Sequence, residues 1–96
     1  MTKEALGETK NASQWAQAAL AASARGDSHE AITHYQRALS LSEQPQWALA
    51  LIELYLGASR FEEAQALLTW LLLSEHDGAA VLEQARVLQA KLRNAS

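Results

Sequence analysis

Gly26-Asp27-Ser28-His29-Glu30-Ala31 and, 33 residues further on, Ser59-Arg60-Phe61-Glu62-Glu63-Ala64 decide how this chain folds. Each segment reads as the turn between two helical runs. Gly26 suits the residue just past a helix end, where a left-handed backbone carries no steric cost. Asp27 with Glu30, and Ser59 with Glu62, have the spacing of capping boxes that open the next helix. Ala31 and Ala64 then occupy the same place in the helix that follows. A small side chain there lets two helix backbones approach closely.

Working outward, the other breaks are regular. Pro45 starts a helix, because its missing N–H costs nothing in a first turn. Gly57 closes that helix, and Asp77-Gly78 marks the last turn. Met1 to Asn11 is polar, has no apolar period and is expected to be a flexible tail. The intervals predict five helices: Ala12 to Ala24, Ser28 to Leu41, Pro45 to Leu56, Arg60 to Ser74 and Ala79 to Arg93. Nothing alternates with period two, so no strand is expected. Helices joined by such short turns pack antiparallel to their neighbours.

Composition agrees. Twenty alanines and sixteen leucines fill more than a third of 96 positions, with only one proline and four glycines. That is a helical composition. A net charge of −3 leaves no electrostatic footprint for nucleic acid or an anionic membrane. The absence of cysteine removes disulfides and thiol chemistry. No stretch reaches the roughly 18 apolar residues of a membrane span, and Met1 to Lys10 lacks the apolar run of a signal peptide. The expectation is a cytoplasmic, all-α protein.

The two segments belong to a repeat. Trp15, Ala19, Gly26, Ala31, Tyr35 and Ala38 in the first unit, with Leu51, Ile52, Tyr55, Ala64, Leu68 and Leu71 in the second, resemble the tetratricopeptide repeat. The resemblance implies a right-handed stack of helix pairs forming one domain over residues 12–96. Its parts are one repeat over 12–44, a second over 45–77, and a solvating end helix over 78–93. Trp15 and Tyr35 would fill the wedge beside Ala31. Ala18, Ala19 and Ala22 stand where the family usually has a large residue, which predicts a first helix that packs loosely or leaves room for another element.

Catalytic constellations are missing. His29 and His34 lie about 140° apart around a helix, poorly placed to share a metal, and His76 stands alone in a turn. All three read as solvated surface histidines. Asp27, Ser28 and His29 are contiguous, which excludes the geometry of a nucleophile–base–orienter triad. Glu62 and Glu63 point in different directions and read as first-turn charge favouring the helix dipole. No phosphate-binding loop or metalloprotease motif occurs. No enzyme activity, cofactor or metal is expected.

Protein partners are expected instead. Pro45 to Leu56 has Glu53 as its only charge, and in the next helix Thr69 is the only polar break between Leu67 and Leu73. An amphipathic surface helix needs a single apolar stripe, and these two exceed it. Part of the excess is explained by burial on two sides in a stack. The remainder predicts two binding surfaces. A concave groove would be lined by Ala16, Leu20, Leu49, Glu53, Leu56 and Leu82. A second surface would carry Trp47, Leu54, Leu67, Trp70 and Leu73. Tryptophan within an uncovered apolar patch marks an interface, and a leucine-lined groove with few charges suits the apolar face of an amphipathic helix.

A narrower likeness follows from Arg25-Gly26-Asp27, Glu43-Gln44-Pro45-Gln46-Trp47-Ala48-Leu49-Ala50 and Glu53-Leu54-Tyr55-Leu56-Gly57. Together these are similar to the small tetratricopeptide-type chaperones of type III secretion needle subunits. That resemblance implies a cytoplasmic protein holding the amphipathic helix of a needle subunit, with or without a small helical co-chaperone, and preventing premature polymerisation. Two alternatives stand beside it. One is a general adaptor recognising a peptide or a machine subunit. The other is a self-associating module, a homodimer in the absence of a partner.

Overall fold

The computed structural model describes residues 11–73 and 79–95. Its helices are α1 (Ala12–Ala24), α2 (Ser28–Leu41), α3 (Pro45–Gly57), α4 (Phe61–Leu73) and α5 (Ala79–Ala95). No strand occurs among the described residues. The expected helices are therefore present: α1 and α2 have the expected bounds, and the end of α3, the start of α4 and the end of α5 move by one or two residues. The Asp77-Gly78 turn, His76 and the segment Met1 to Lys10 lie outside the described residues. The chain divides after Glu43 into two compact units.

The first unit is the antiparallel hairpin of α1 and α2. Its core is Ala16, Ala19 and Ala22 from α1 with Ala31, Ile32, Tyr35 and Ala38 from α2. The α1 alanines recur every three residues and those of α2 stand seven apart, so each set shares one helix face. Ala19, Ala22, Ala31 and Ala38 are completely buried. The first helix thus does not pack loosely. Its missing bulk on this face is taken up by close approach to α2.

The second unit holds α3, α4 and α5. Ile52, Leu68, Leu71 and Leu88 are its largest fully buried side chains, joined by Leu51, Tyr55, Ala64, Ala85 and Leu92. The end helix packs against both α3 and α4 rather than against α4 alone. That contact requires α3 to bury two faces, which accounts for much of its apolar excess.

The two turns read first in the sequence are built alike. After α1, the Asp27 N–H donates to the Ala22 carbonyl (2.9 Å) and the Gly26 N–H to Ser23 (3.0 Å). After α3, the Arg60 N–H donates to Tyr55 (2.8 Å) and the Ser59 N–H to Leu56 (3.1 Å). Both are Schellman closures, with Gly26 at φ +85° and Ser59 at φ +61° in the left-handed position. Ser59 therefore ends α3 and does not cap α4. Arg60 precedes α4 instead, its carbonyl accepting from the Ala64 N–H (3.1 Å). Gly57 is the last helical residue of α3, two residues short of the left-handed turn.

The helix starts also differ from expectation. Asp27 caps α2 by accepting from the Glu30 N–H (3.2 Å), but the reciprocal half of the box is absent. Glu30 instead turns its carboxylate to Arg25 (3.1 Å) and His34 (3.2 Å). A complete capping box occurs where none was expected. The Asn11 side chain accepts from the Gln14 N–H (2.8 Å), and the Asn11 N–H donates to Gln14 Oε1 (3.0 Å). Asn11 is the N-cap of α1 rather than the end of a tail.

Candidate partner-binding surfaces

The first unit carries two of the residues expected in a concave groove. Leu20 follows the buried Ala19 by one position and so turns about 100° away from the hairpin core, where it is 63% exposed. Ala16 belongs to the alanine row itself and is only 8% exposed. Its place on a binding surface is corrected on that ground. Leu41, at the end of α2, is a further exposed leucine that sequence reasoning misses.

Along one side of this hairpin runs a line of polar and aromatic contacts. Trp15 lies with its ring centroid 5.2 Å from that of His34, tilted by 40°. The Arg37 guanidinium stands 5.2 Å above Trp15, within cation–π range. His34 Nε2 meets Glu30, and the Nδ1 atom is buried without a partner. With 18% of its side chain exposed, His34 is not the solvated surface histidine expected from sequence. His29, on the outer side of α2, is exposed.

In the second unit Leu49 is 7% exposed and forms part of the core. The expectation of a free Leu49 is therefore not met. Glu53 is exposed, whereas Leu56 on α3 and Leu82 on α5 are half-buried. Of the second expected surface, Trp47, Leu54, Leu67 and Trp70 are half-buried and Leu73 is 79% exposed. Val87 adds an exposed aliphatic side chain on α5. The expected residues thus separate by unit: Ala16 and Leu20 lie in the first, all the others in the second.

Three charged residues of the second unit, Arg60, Glu62 and Glu63, stand together at the start of α4. Arg60 makes a two-pronged ion pair with Glu63, its Nε and a terminal nitrogen each 2.6 Å from a carboxylate oxygen. The same guanidinium lies 5.1 Å over the Tyr55 ring. The hydrogen bonds from Arg60 hold the Glu63 carboxyl below its ordinary range. Beside this pair, Phe61, Glu62, Gln65 and Ala66 of α4 and Leu92 of α5 line a recess of about 370 Å³. Among the described residues no group of three His, Asp or Glu side chains is arranged to hold a metal, and no helix is long and apolar enough to cross a membrane.

Residues 22–92 match the family profile described as tetratricopeptide repeat. No curated protein and no solved structure matches the chain. The match spans both Schellman turns, the paired Ala31 and Ala64 positions and most of α5, so the repeat runs through the sequence of both units. The chain belongs to the tetratricopeptide repeat family, whose helix pairs are protein–protein interaction modules.

Proposed function

We propose that this chain is a chaperone-like carrier that holds an amphipathic helix of a protein client. The client class is the needle subunit of a type III secretion system, and the chain works in the cytoplasm. The observation that carries the reading is the exposure of large aliphatic side chains on a repeat that binds proteins. Leu20 and Leu73 stand mostly in solvent although each could have been a polar residue at no cost to the core. Support for the client class comes from the sequence likeness in the Glu43–Gly57 region. Glu53, exposed on α3, favours a lysine or arginine on the incoming helix. With Ala16 and Leu49 withdrawn into the core, the residues proposed to touch the client are Glu53, Leu56 and Leu82 in the second unit and, separately, Leu20 in the first. A small helical co-chaperone would cover Leu67, Trp70 and Leu73.

The test is light scattering of the purified chain, alone and with the C-terminal helix of a needle subunit. A defined heterodimer that Leu20→Glu and Leu56→Glu each prevent, with helicity unchanged, supports the carrier. A monomer indifferent to the needle helix points to a general peptide adaptor. A stable homodimer that both variants break points to self-association.

A further inference from the structure

The recess at the start of α4 lies apart from the residues assigned to the client. Phe61, Glu62, Gln65 and Ala66 span about 140° of the α4 surface over its first two turns. Leu92, near the end of the antiparallel α5, supplies the other wall. Phe61 is half-buried and Leu92 buried, so the floor is carbon, while Glu62 and Gln65 are exposed at its edge. The neighbours of Leu92 in sequence, Lys91 and Arg93, turn about 100° to either side of it and do not line the recess.

The charge at this edge is one-sided. Glu62 and Glu63 are adjacent but differently employed. Glu63 is fully engaged by the guanidinium of Arg60, with two bonds of 2.6 Å. Glu62 has no ion pair or hydrogen bond from its side chain among the described residues. A volume of about 370 Å³ is at the small end of binding recesses, about 300–1,000 Å³. That is room for an anchor from a partner rather than for a long groove.

We infer that this recess docks a partner segment bearing a large apolar side chain with a lysine or arginine one helical turn away. The apolar side chain enters between Phe61, Ala66 and Leu92 and supplies most of the affinity. The cation reaches the uncommitted Glu62 carboxylate and supplies selectivity, since an exposed charge pair contributes little energy but rejects the wrong sign. The inference is independent of the client proposed above.

The experiment uses two labelled amphipathic 14-residue helical peptides with leucine and phenylalanine on one face. They differ only in carrying lysine or glutamate beside that face, and binding is read by fluorescence anisotropy at low and high salt. The lysine peptide binds the full chain, more weakly as salt rises, and the glutamate peptide binds about tenfold more weakly at low salt. Ala66→Trp, which fills the recess from an exposed position, weakens binding more than tenfold, and Gln65→Trp does the same should Ala66→Trp fold poorly. Glu62→Lys weakens it about tenfold, whereas Glu83→Gln, which removes a charge outside the recess, leaves it unchanged. Equal binding of the two peptides, or binding indifferent to both tryptophan variants, overturns the inference. So does a dimer of the chain alone that Ala66→Trp converts to monomer, because the occupant is then a second copy.

Discussion

Ser59 occupies the left-handed position that Gly26 occupies 33 residues earlier, with the same pair of backbone hydrogen bonds closing the helix before it. A side chain at φ +61° carries a steric cost that glycine avoids, about 1–2 kcal/mol for an ordinary residue. Ser59→Gly is therefore expected to raise stability by about 1 kcal/mol. Gly26→Ala should lower it by a similar amount, although a β-carbon at Gly26 meets nothing within 4 Å. Gly57 behaves in the opposite way. It is helical, with open space where a β-carbon would go, so Gly57→Ala should stabilise by about 0.5 kcal/mol. Urea denaturation of the three variants checks all three signs.

The same turn shows what a sequence reveals and what it conceals. Gly26 and Ser59 are readable as equivalent positions because their spacing matches that of Ala31 and Ala64. Ser59 is equally readable as a helix cap, since serine followed by glutamate three residues on has the capping spacing. The choice between them rests on the backbone of α3, which runs on to Gly57 before it turns. Asn11 with Gln14 has cap spacing as well, but Asn11 reads as the last residue of a polar segment. Leu49 cannot be placed from its neighbours, because burial at 7% exposure is a matter of tertiary packing and not of local pattern. The recess beside Glu62 needs the register of α5 against α4, which no local pattern encodes.

Leu49→Glu is expected to unfold the second unit rather than to act selectively on binding. The substitution places a carboxylate at a site 7% exposed, where an unpaired charge costs several kcal/mol. Leu20→Glu, at a site 63% exposed, should change stability by less than about 0.5 kcal/mol. Circular dichroism through a thermal ramp separates them. A cooperative transition for Leu49→Glu at the parent midpoint would contradict the burial.

Overpacking should be equally severe in both repeats. Ala31 and Ala64 are completely buried where one helix of a pair crosses the other. Ala31→Leu and Ala64→Leu are each expected to cost about 1–3 kcal/mol, because the backbones must separate to admit the added carbons. Ala66→Leu, on the exposed side of α4, should not. Matched midpoints for Ala64→Leu and Ala66→Leu would show that the small residue is not required at the crossing.

Two carboxylates should set the acid limit of the fold. The hydrogen bond from the Glu30 N–H holds Asp27 below its ordinary range, with the charges of Arg25 and His29 adding to the effect. Arg60 does the same for Glu63. A carboxylate depressed in the folded state stabilises the fold fully above its unfolded value, about 4. That contribution is lost as pH falls through the lower folded value. Stability should thus be level from pH 7 to about 5 and decline below about 4. Asp27→Asn, which keeps a side-chain acceptor for the cap, should flatten part of that decline, and Glu63→Gln another part. Denaturant midpoints measured from pH 7 to 2.5 check this, and a decline of unchanged shape in the double variant would remove both residues from the account.

The two units should differ in local stability. The first completely buries four alanines, with Ile32 and Tyr35 as its larger core side chains, whereas the second buries Leu51, Ile52, Tyr55, Leu68, Leu71, Leu88 and Leu92. A buried methyl group contributes about 0.8 kcal/mol and a buried leucine or isoleucine about 1.5–3, so the α1–α2 hairpin has much less to hold it closed. Its cap at Asn11, the Asp27 contact and the Arg25–Glu30 pair are all at exposed positions. Local opening should therefore begin there. In native-state hydrogen exchange the amides of Ala19, Ala22 and Ala38 should exchange at a lower opening free energy than those of Leu68, Leu71 and Leu88. Equal opening free energies across both sets would mean that the two units open together, and the difference in buried carbon would then not govern where the fold first gives way.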